Sequence, residues 1–190
     1  MKKVMGAIIA SSVLMASGVS VAEPYQQKKV RPTYNYAGVK YSTQRLDDFD
    51  CSQDGLFIDG SFDINGQVFA RGSIGDVSGD VCGSTSISAS LGYRSAWGEA
   101  SHLYGVAGFT DVSADSGGGD TGLVIGGGIR GYMVPGIEGY FEVGYSTLGD
   151  GDLSMSVGGA YWFNGNFAAT ADVGFGSDQR SFAIGARMAF

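Results

Sequence analysis

Gly126 to Gly131 reads GGGIRG, the G-x-G-x-x-G spacing of loops that cradle phosphate. That chemistry needs the glycines between a strand and the N-terminus of a helix, where free backbone N–H groups meet the anion. Here the residues alternate in polarity from Thr121 to Met133, and only Val134-Pro135-Gly136 separates them from another alternating run. The spacing therefore predicts glycines in a strand wall, with Arg130 reaching across towards Glu138 or Glu142. Acid–base chemistry is equally poorly supplied. His102 is the one histidine, its neighbour Ser101 belongs to no G-x-S-x-G elbow, and no catalytic residue or cofactor is predicted. Asp50 to Gly55 opens like a calcium loop, yet its twelfth position is Ser61 where a bidentate Glu is needed. Two cysteines and one histidine cannot close a tetrahedral zinc shell, so no metal site is predicted.

The side chains with the most chemistry are charges that recur in phase. Lys40, Arg71, Arg94, Arg130 and Arg187 can be set against Asp59, Asp63, Glu138, Glu142 and Asp172, five of each sign. Elements that place all ten on one face must have period two. In Leu56 to Ile64, Leu56, Ile58, Phe62 and Ile64 fall on one face while Asp59, Ser61 and Asp63 fall on the other. Asn65-Gly66 then marks a hairpin, and a second run sets Val68, Ala70 and Ile74 against Arg71 and Ser73.

Repeated along the chain, this pattern predicts about ten strands. They are Tyr34–Tyr41, Gly55–Ile64, Gln67–Gly75, Ser84–Arg94, His102–Thr110, Thr121–Met133, Ile137–Ser146, Leu153–Phe163, Phe167–Phe175 and Arg180–Phe190, with eight as the alternative count because Tyr34–Tyr41 is weak. Connections alternate between tight turns, such as Asn65-Gly66 and Asn164-Gly165-Asn166, and longer Asp-, Ser- and Gly-rich segments, such as Ser42–Asp54 and Asp111–Asp120. Ahead of the strands, residues 1–22 carry Lys2 and Lys3, an apolar run and Ser20-Val21-Ala22, the marks of a secretory signal peptide cleaved near Ala22. Residues 23–33 would be a periplasmic tail and 34–190 the folded domain.

Removing the signal peptide takes away two lysines and no acid, so the formal charge moves from −7 to −9. That balance excludes a basic nucleic-acid footprint. Export also brings Cys51 and Cys82 into an oxidising compartment, where a disulfide between them and two free thiols are both open.

Alternation alone fits either a soluble β-sandwich or a closed, up-and-down, antiparallel transmembrane β-barrel. Three features favour the barrel. Lipid-phase aromatic residues gather at the strand ends, with Tyr41, Phe109, Tyr145, Phe175 and Phe182 at one rim and Phe62, Tyr93, Tyr161, Phe163, Phe167 and Phe190 at the other. The opposite phase is crowded with Gly and Ser. The last strand, RSFAIGARMAF, puts Phe182, Ile184, Met188 and Phe190 on one phase.

That last strand resembles the C-terminal signature of Gram-negative outer-membrane β-barrels, which the barrel-assembly machinery reads. Together with YNYAGVKY, GLFIDGSFDINGQVFARGS, SASLGYR and GIRGYM with IEGYFEVGY, it makes the chain similar to small outer-membrane barrels of the OmpA and OmpX kind, closest to a group formerly described as quorum-factor proteins. The resemblance implies location and fold far more than activity. The expectation is a monomeric, non-enzymatic outer-membrane barrel in contact with lipid and lipopolysaccharide. Its lumen would be a paired polar plug, since so narrow a barrel is nearly filled by side chains, or else a thin, weakly cation-preferring water path. Acidic outer loops, including Asp47, Asp48, Asp50 and Asp178, would be a solvated rim or would draw divalent cations.

Overall fold

In a computed structural model of the chain, residues 31–46, 51–80, 82–177 and 179–190 are described. The signal-peptide segment, most of the expected tail, and Asp47, Asp48, Asp50 and Asp178 lie outside them. Ten strands follow in order: β1 Tyr36–Leu46, β2 Cys51–Asp63, β3 Val68–Ser78, β4 Gly83–Trp97, β5 Ser101–Ala114, β6 Gly119–Val134, β7 Ile137–Ser146, β8 Asp152–Trp162, β9 Phe167–Phe175 and β10 Gln179–Ala189. Each pairs antiparallel with its sequence neighbours, and β10 closes on β1 from Arg180↔Arg45 to Ala189↔Tyr36. The result is an all-β closed barrel, which removes the sandwich and the eight-strand count. Closure leaves no sheet edge with unpaired backbone groups.

Both described chain ends emerge at one mouth, here the terminal mouth, and the opposite one is the distal mouth. The terminal turns are built by local chemistry. In the β2–β3 turn, Asn65 Oδ1 accepts from the N–H groups of Gln67 and Val68 while Gly66 takes φ +82°, a left-handed conformation open to glycine. Asn164 repeats the device between β8 and β9, accepting from Asn166 and Phe167 N–H.

At the distal mouth the structure corrects the expected inequality of connections. The Asp- and Ser-rich stretches continue as ladder. Asp54 pairs with Ser78, and Ser113 with Gly119, so the connections there are three to five residues long, comparable with those at the terminal mouth. Backbone N–H and C=O groups gain partners by extending the ladder whatever the side chains, and polar side chains cost nothing where the wall stands in water. Strands β4, β5 and β6, at 15, 14 and 16 residues, are longer than the roughly 9–11 needed to cross a bilayer.

The pleat sorts the side chains into two populations. Outside lie Val39, Leu56, Ile58, Ile74, Ile87, Leu91, Ile125, Val157 and Ile184, all exposed, bounded by the two aromatic rims. Phe182, Ile184, Met188 and Phe190 of the C-terminal signature belong to this outer face. Inside lie the charges, hydroxyls, glycines and a second set of aromatic rings. A water-soluble barrel would be sorted the other way, so the outer band is the apolar surface of this protein.

Candidate functional site in the barrel lumen

The lumen is layered. Its distal part carries small polar side chains, including Ser42, Gln44, Ser73, Ser88, Ser156 and Ser181, and a cavity of about 400 Å3 runs from there past the middle of the lumen to Tyr34 and Arg130. Its middle is spanned by ion pairs. Its terminal end is packed with buried charge and aromatic rings.

All ten charges of the sequence pattern face inward, and nine of them meet a partner. Arg71 on β3 crosses to Glu142 on β7 with both guanidinium nitrogens donating, each at 2.7 Å, while Tyr104 OH donates to the same carboxylate at 2.6 Å. Lys40 Nζ lies 2.8 Å from Asp172, which also accepts from Tyr140 OH. Nearer the terminal mouth Arg94 donates to Asp63 and to the carbonyl of Gly66. Glu138, 1% exposed, is the hub: its carboxylate accepts from Arg130 Nε at 2.6 Å, Trp162 Nε1 at 3.2 Å and Arg187 Nη1 at 3.4 Å. Asp59 is the exception. It has no ion pair among the described residues, and its Oδ1 packs against Gly38, where an added Cβ would sit 2.8 Å away.

One detail differs from the sequence expectation. Arg130 does not span the lumen, because β6 and β7 are adjacent and Tyr132 is the register partner of Glu138, which leaves Arg130 on the diagonal. The crossing contact belongs to Arg71. His102, the lone histidine beside Ser101, is buried and faces inward, its ring 5.7 Å from that of Tyr34. Ser101 beside it falls on the opposite pleat face, so the two cannot form a nucleophile–base pair.

Sequence reasoning missed the inward aromatic residues and what fixes them. Phe57, Phe69, Tyr104 and Tyr140 share the charged phase, and each stands directly opposite a glycine on the next strand: Gly75, Gly92, Gly128 and Gly158. The rings of Phe57 and Phe69 lie where a Cβ on Gly75 or Gly92 would have to be. A ring laid over a cross-strand glycine covers backbone that would otherwise be bare and stays in the plane of the wall, which a narrow lumen requires. The signal was present in the sequence as aromatic residues in phase with charges, and it becomes decisive only with the register.

At the terminal end five side chains alternate through cation–π contact. Arg94 stacks on Tyr34 at 4.2 Å, Arg130 lies 4.9 Å from Tyr34 and 5.2 Å from Tyr36, and Arg187 stacks on Tyr36 at 4.2 Å. Each ring face attracts the guanidinium beside it, which helps three buried cations share two carboxylates, Asp63 and Glu138. Tyr34, just before β1, is 3% exposed, and burial pushes its hydroxyl up to about 12.

Of the calcium-loop-like stretch, Cys51 to Gly55 is ladder: Cys51 and Gln53 face inward, and Asp54 faces out to accept from Tyr41 OH. Cys51 and Cys82 are joined by a disulfide with Cα atoms 6.5 Å apart, tying the start of β2 to the β3–β4 connection. At the distal rim Thr85 donates to Asp76 at 3.0 Å and Thr121 to Asp111 at 2.5 Å, so these acids hold neighbouring strand ends.

No protein-family model matches the chain, and no curated protein does. Among solved structures it is similar to an outer membrane channel from Pseudomonas putida F1, with 10% identity over 87% of this chain and 98% of that one at a TM-score of 0.52. It is also similar to KdgM porin, with 15% identity over 80% of this chain and 99% of that one (TM-score 0.44). The N-terminal β-barrel domain of Pseudomonas aeruginosa OprF aligns at 16% identity over 82% and 98% (TM-score 0.39). At such identities the likeness is one of fold: a closed barrel of the kind found in outer-membrane proteins.

Proposed function

We propose that the chain is an integral outer-membrane β-barrel with a structural or surface-interaction role, its lumen closed to through-flow and carrying no catalytic centre. The apolar outer band between two aromatic rims supports the membrane placement, and the terminal mouth faces the periplasm. The observation that carries the closed lumen is its terminal end: Glu138, Arg130, Arg187 and Arg94 are all less than a tenth exposed and are interleaved with Tyr34, Tyr36, Phe69 and Trp162. The barrel acts as a monomer in lipid and lipopolysaccharide, inserted by the assembly machinery through its last strand. The strand tips present acidic residues outward, where divalent cations collect.

A narrow, weakly cation-preferring channel is the second reading. The lumen cavity and the carboxylate of Asp59, which has no ion pair among the described residues, favour it. Planar-bilayer recording on the refolded protein separates the two. The closed lumen predicts a silent bilayer, and reproducible single-channel steps that shift in Arg71→Gln or Glu138→Gln would replace it with the channel.

A further inference from the structure

We infer that Tyr34 is the stopper that closes the terminal end of the lumen, so that a barrel lacking its ring passes small anions there. The inference rests on the closed-lumen reading. Tyr34 is placed by Thr33 and Asn35, which precede β1 and belong to no ladder, whereas Tyr36 is locked in register with Ser61 and Ala189. The stopper is thus chemically part of the floor but mechanically part of the N-terminal segment.

What holds the ring is non-directional. It lies 4.4 Å from the Phe69 ring and between the guanidiniums of Arg94 and Arg130, and its hydroxyl has no hydrogen-bond partner among the described residues. Among the described residues ahead of β1, Asn35 is tied to the barrel by directed bonds: its Oδ1 accepts from Asp63 N–H at 2.7 Å and its carbonyl accepts from Phe190 N–H at 3.2 Å. Asn35 therefore fixes the backbone beside Tyr34, while the ring itself is held by packing and cation–π contact. Tyr34 also lines the lumen cavity, where with Tyr36, Arg130 and Arg187 it forms the floor towards the terminal mouth. With the ring gone, Arg94 and Arg130, which lie against it, would border the vacated space. Three arginines then face two carboxylates there, and a constriction with surplus positive charge favours anions.

The test is bilayer recording in potassium chloride on the full chain and on Tyr34→Ala, with Tyr34→Leu as a second variant that keeps an apolar body for folding. Folding is checked by heat-modifiable gel migration. The expected result is silence from the unaltered barrel and from Tyr34→Phe, since the hydroxyl has no partner. Steps should appear in the folded Ala or Leu variant, with a reversal potential under a salt gradient that reports anion preference. Silence in every folded variant, or steps in Tyr34→Phe equal to those in Tyr34→Ala, would overturn the stopper. Cation preference in the open variants would overturn the arginine-lined constriction. Steps in the unaltered barrel would instead overturn the closed-lumen reading on which this rests.

Discussion

Replacing Glu138 by Gln tests whether the floor of the lumen is held by charge or only by packing. Among the described residues Glu138 is the sole carboxylate in contact with Arg130 and Arg187, both 6% exposed, and it also accepts from Trp162. The amide keeps the shape and removes the charge. It leaves two buried cations with no counter-charge in contact, and turns an N–H group towards donors. Breaking a buried pair on one side costs about 3–5 kcal/mol, because the remaining ion stays desolvated. With a urea slope of about 2 kcal/mol per molar, the unfolding midpoint of the refolded barrel should fall by about 1.5–2.5 M. The structure further predicts an asymmetry. Arg130→Gln should cost less than Glu138→Gln, since Glu138 would keep Arg187 and Trp162. The assay is urea titration in detergent or bilayer, followed by the gel shift between folded and unfolded forms. A midpoint change equivalent to less than about 1 kcal/mol, or a larger loss in Arg130→Gln, would refute the hub.

Three further predictions address the wall. Gly92→Val should destabilise by about 1–3 kcal/mol, because its Cβ enters the space of the Phe69 ring, and Phe69→Ala in the same chain should recover part of the loss; Gly105→Val, outward-facing with open space around it, should be tolerated in the same urea titration. Ile58→Arg, in the apolar band, should cost about 2–4 kcal/mol when measured in bilayers, whereas Ser113→Arg at the distal end of β5 should cost little. Cys51→Ser should lower stability by about 3–4 kcal/mol from the 31-residue separation alone, and adding reductant to the unaltered protein should reproduce the shift.

The wall was legible in the sequence because a barrel writes its geometry into period two. A charge at the wrong phase would face lipid, and none of Lys40, Asp59, Asp63, Arg71, Arg94, Arg130, Glu138, Glu142, Asp172 or Arg187 does so. Strand number followed from the same alternation, and Asn65-Gly66 placed a turn because its backbone demands are local. The distal strand ends were not legible. Ser113 and Asp120 have turn-like side chains, yet their backbone is ladder, since hydrogen bonding to a paired neighbour outweighs local preference. Which charge meets which was equally hidden. Partnering across a closed ring depends on stagger between strands, so Arg71 meets Glu142 four strands away while Arg130 meets a residue only eight positions along the chain.

The glycines of Gly126–Gly131 show how one short pattern acquires several meanings once the ring is closed. Gly128 lies opposite Tyr104, whose hydroxyl donates to Glu142, so this glycine makes room for the ring that orients the Arg71 ion pair. Gly126 stands opposite Val106, the apolar neighbour of Phe69 and Tyr34. Gly127, on the other pleat face, pairs with the outward Gly105 and has no part in the lumen. Arg130 between them carries the stack that begins at Arg94 and ends at Arg187. A side chain at Gly128 would collide first with the Phe141 carbonyl, 2.1 Å from its Cβ, and then with the Tyr104 hydroxyl at 3.0 Å, and an alanine in place of Arg130 would leave Tyr34 and Tyr36 without the cation between them. The spacing that mimics a phosphate loop is therefore a consequence of the pleat: alternate inward positions must be empty where a ring from the neighbouring strand fills them, and occupied where the floor needs charge.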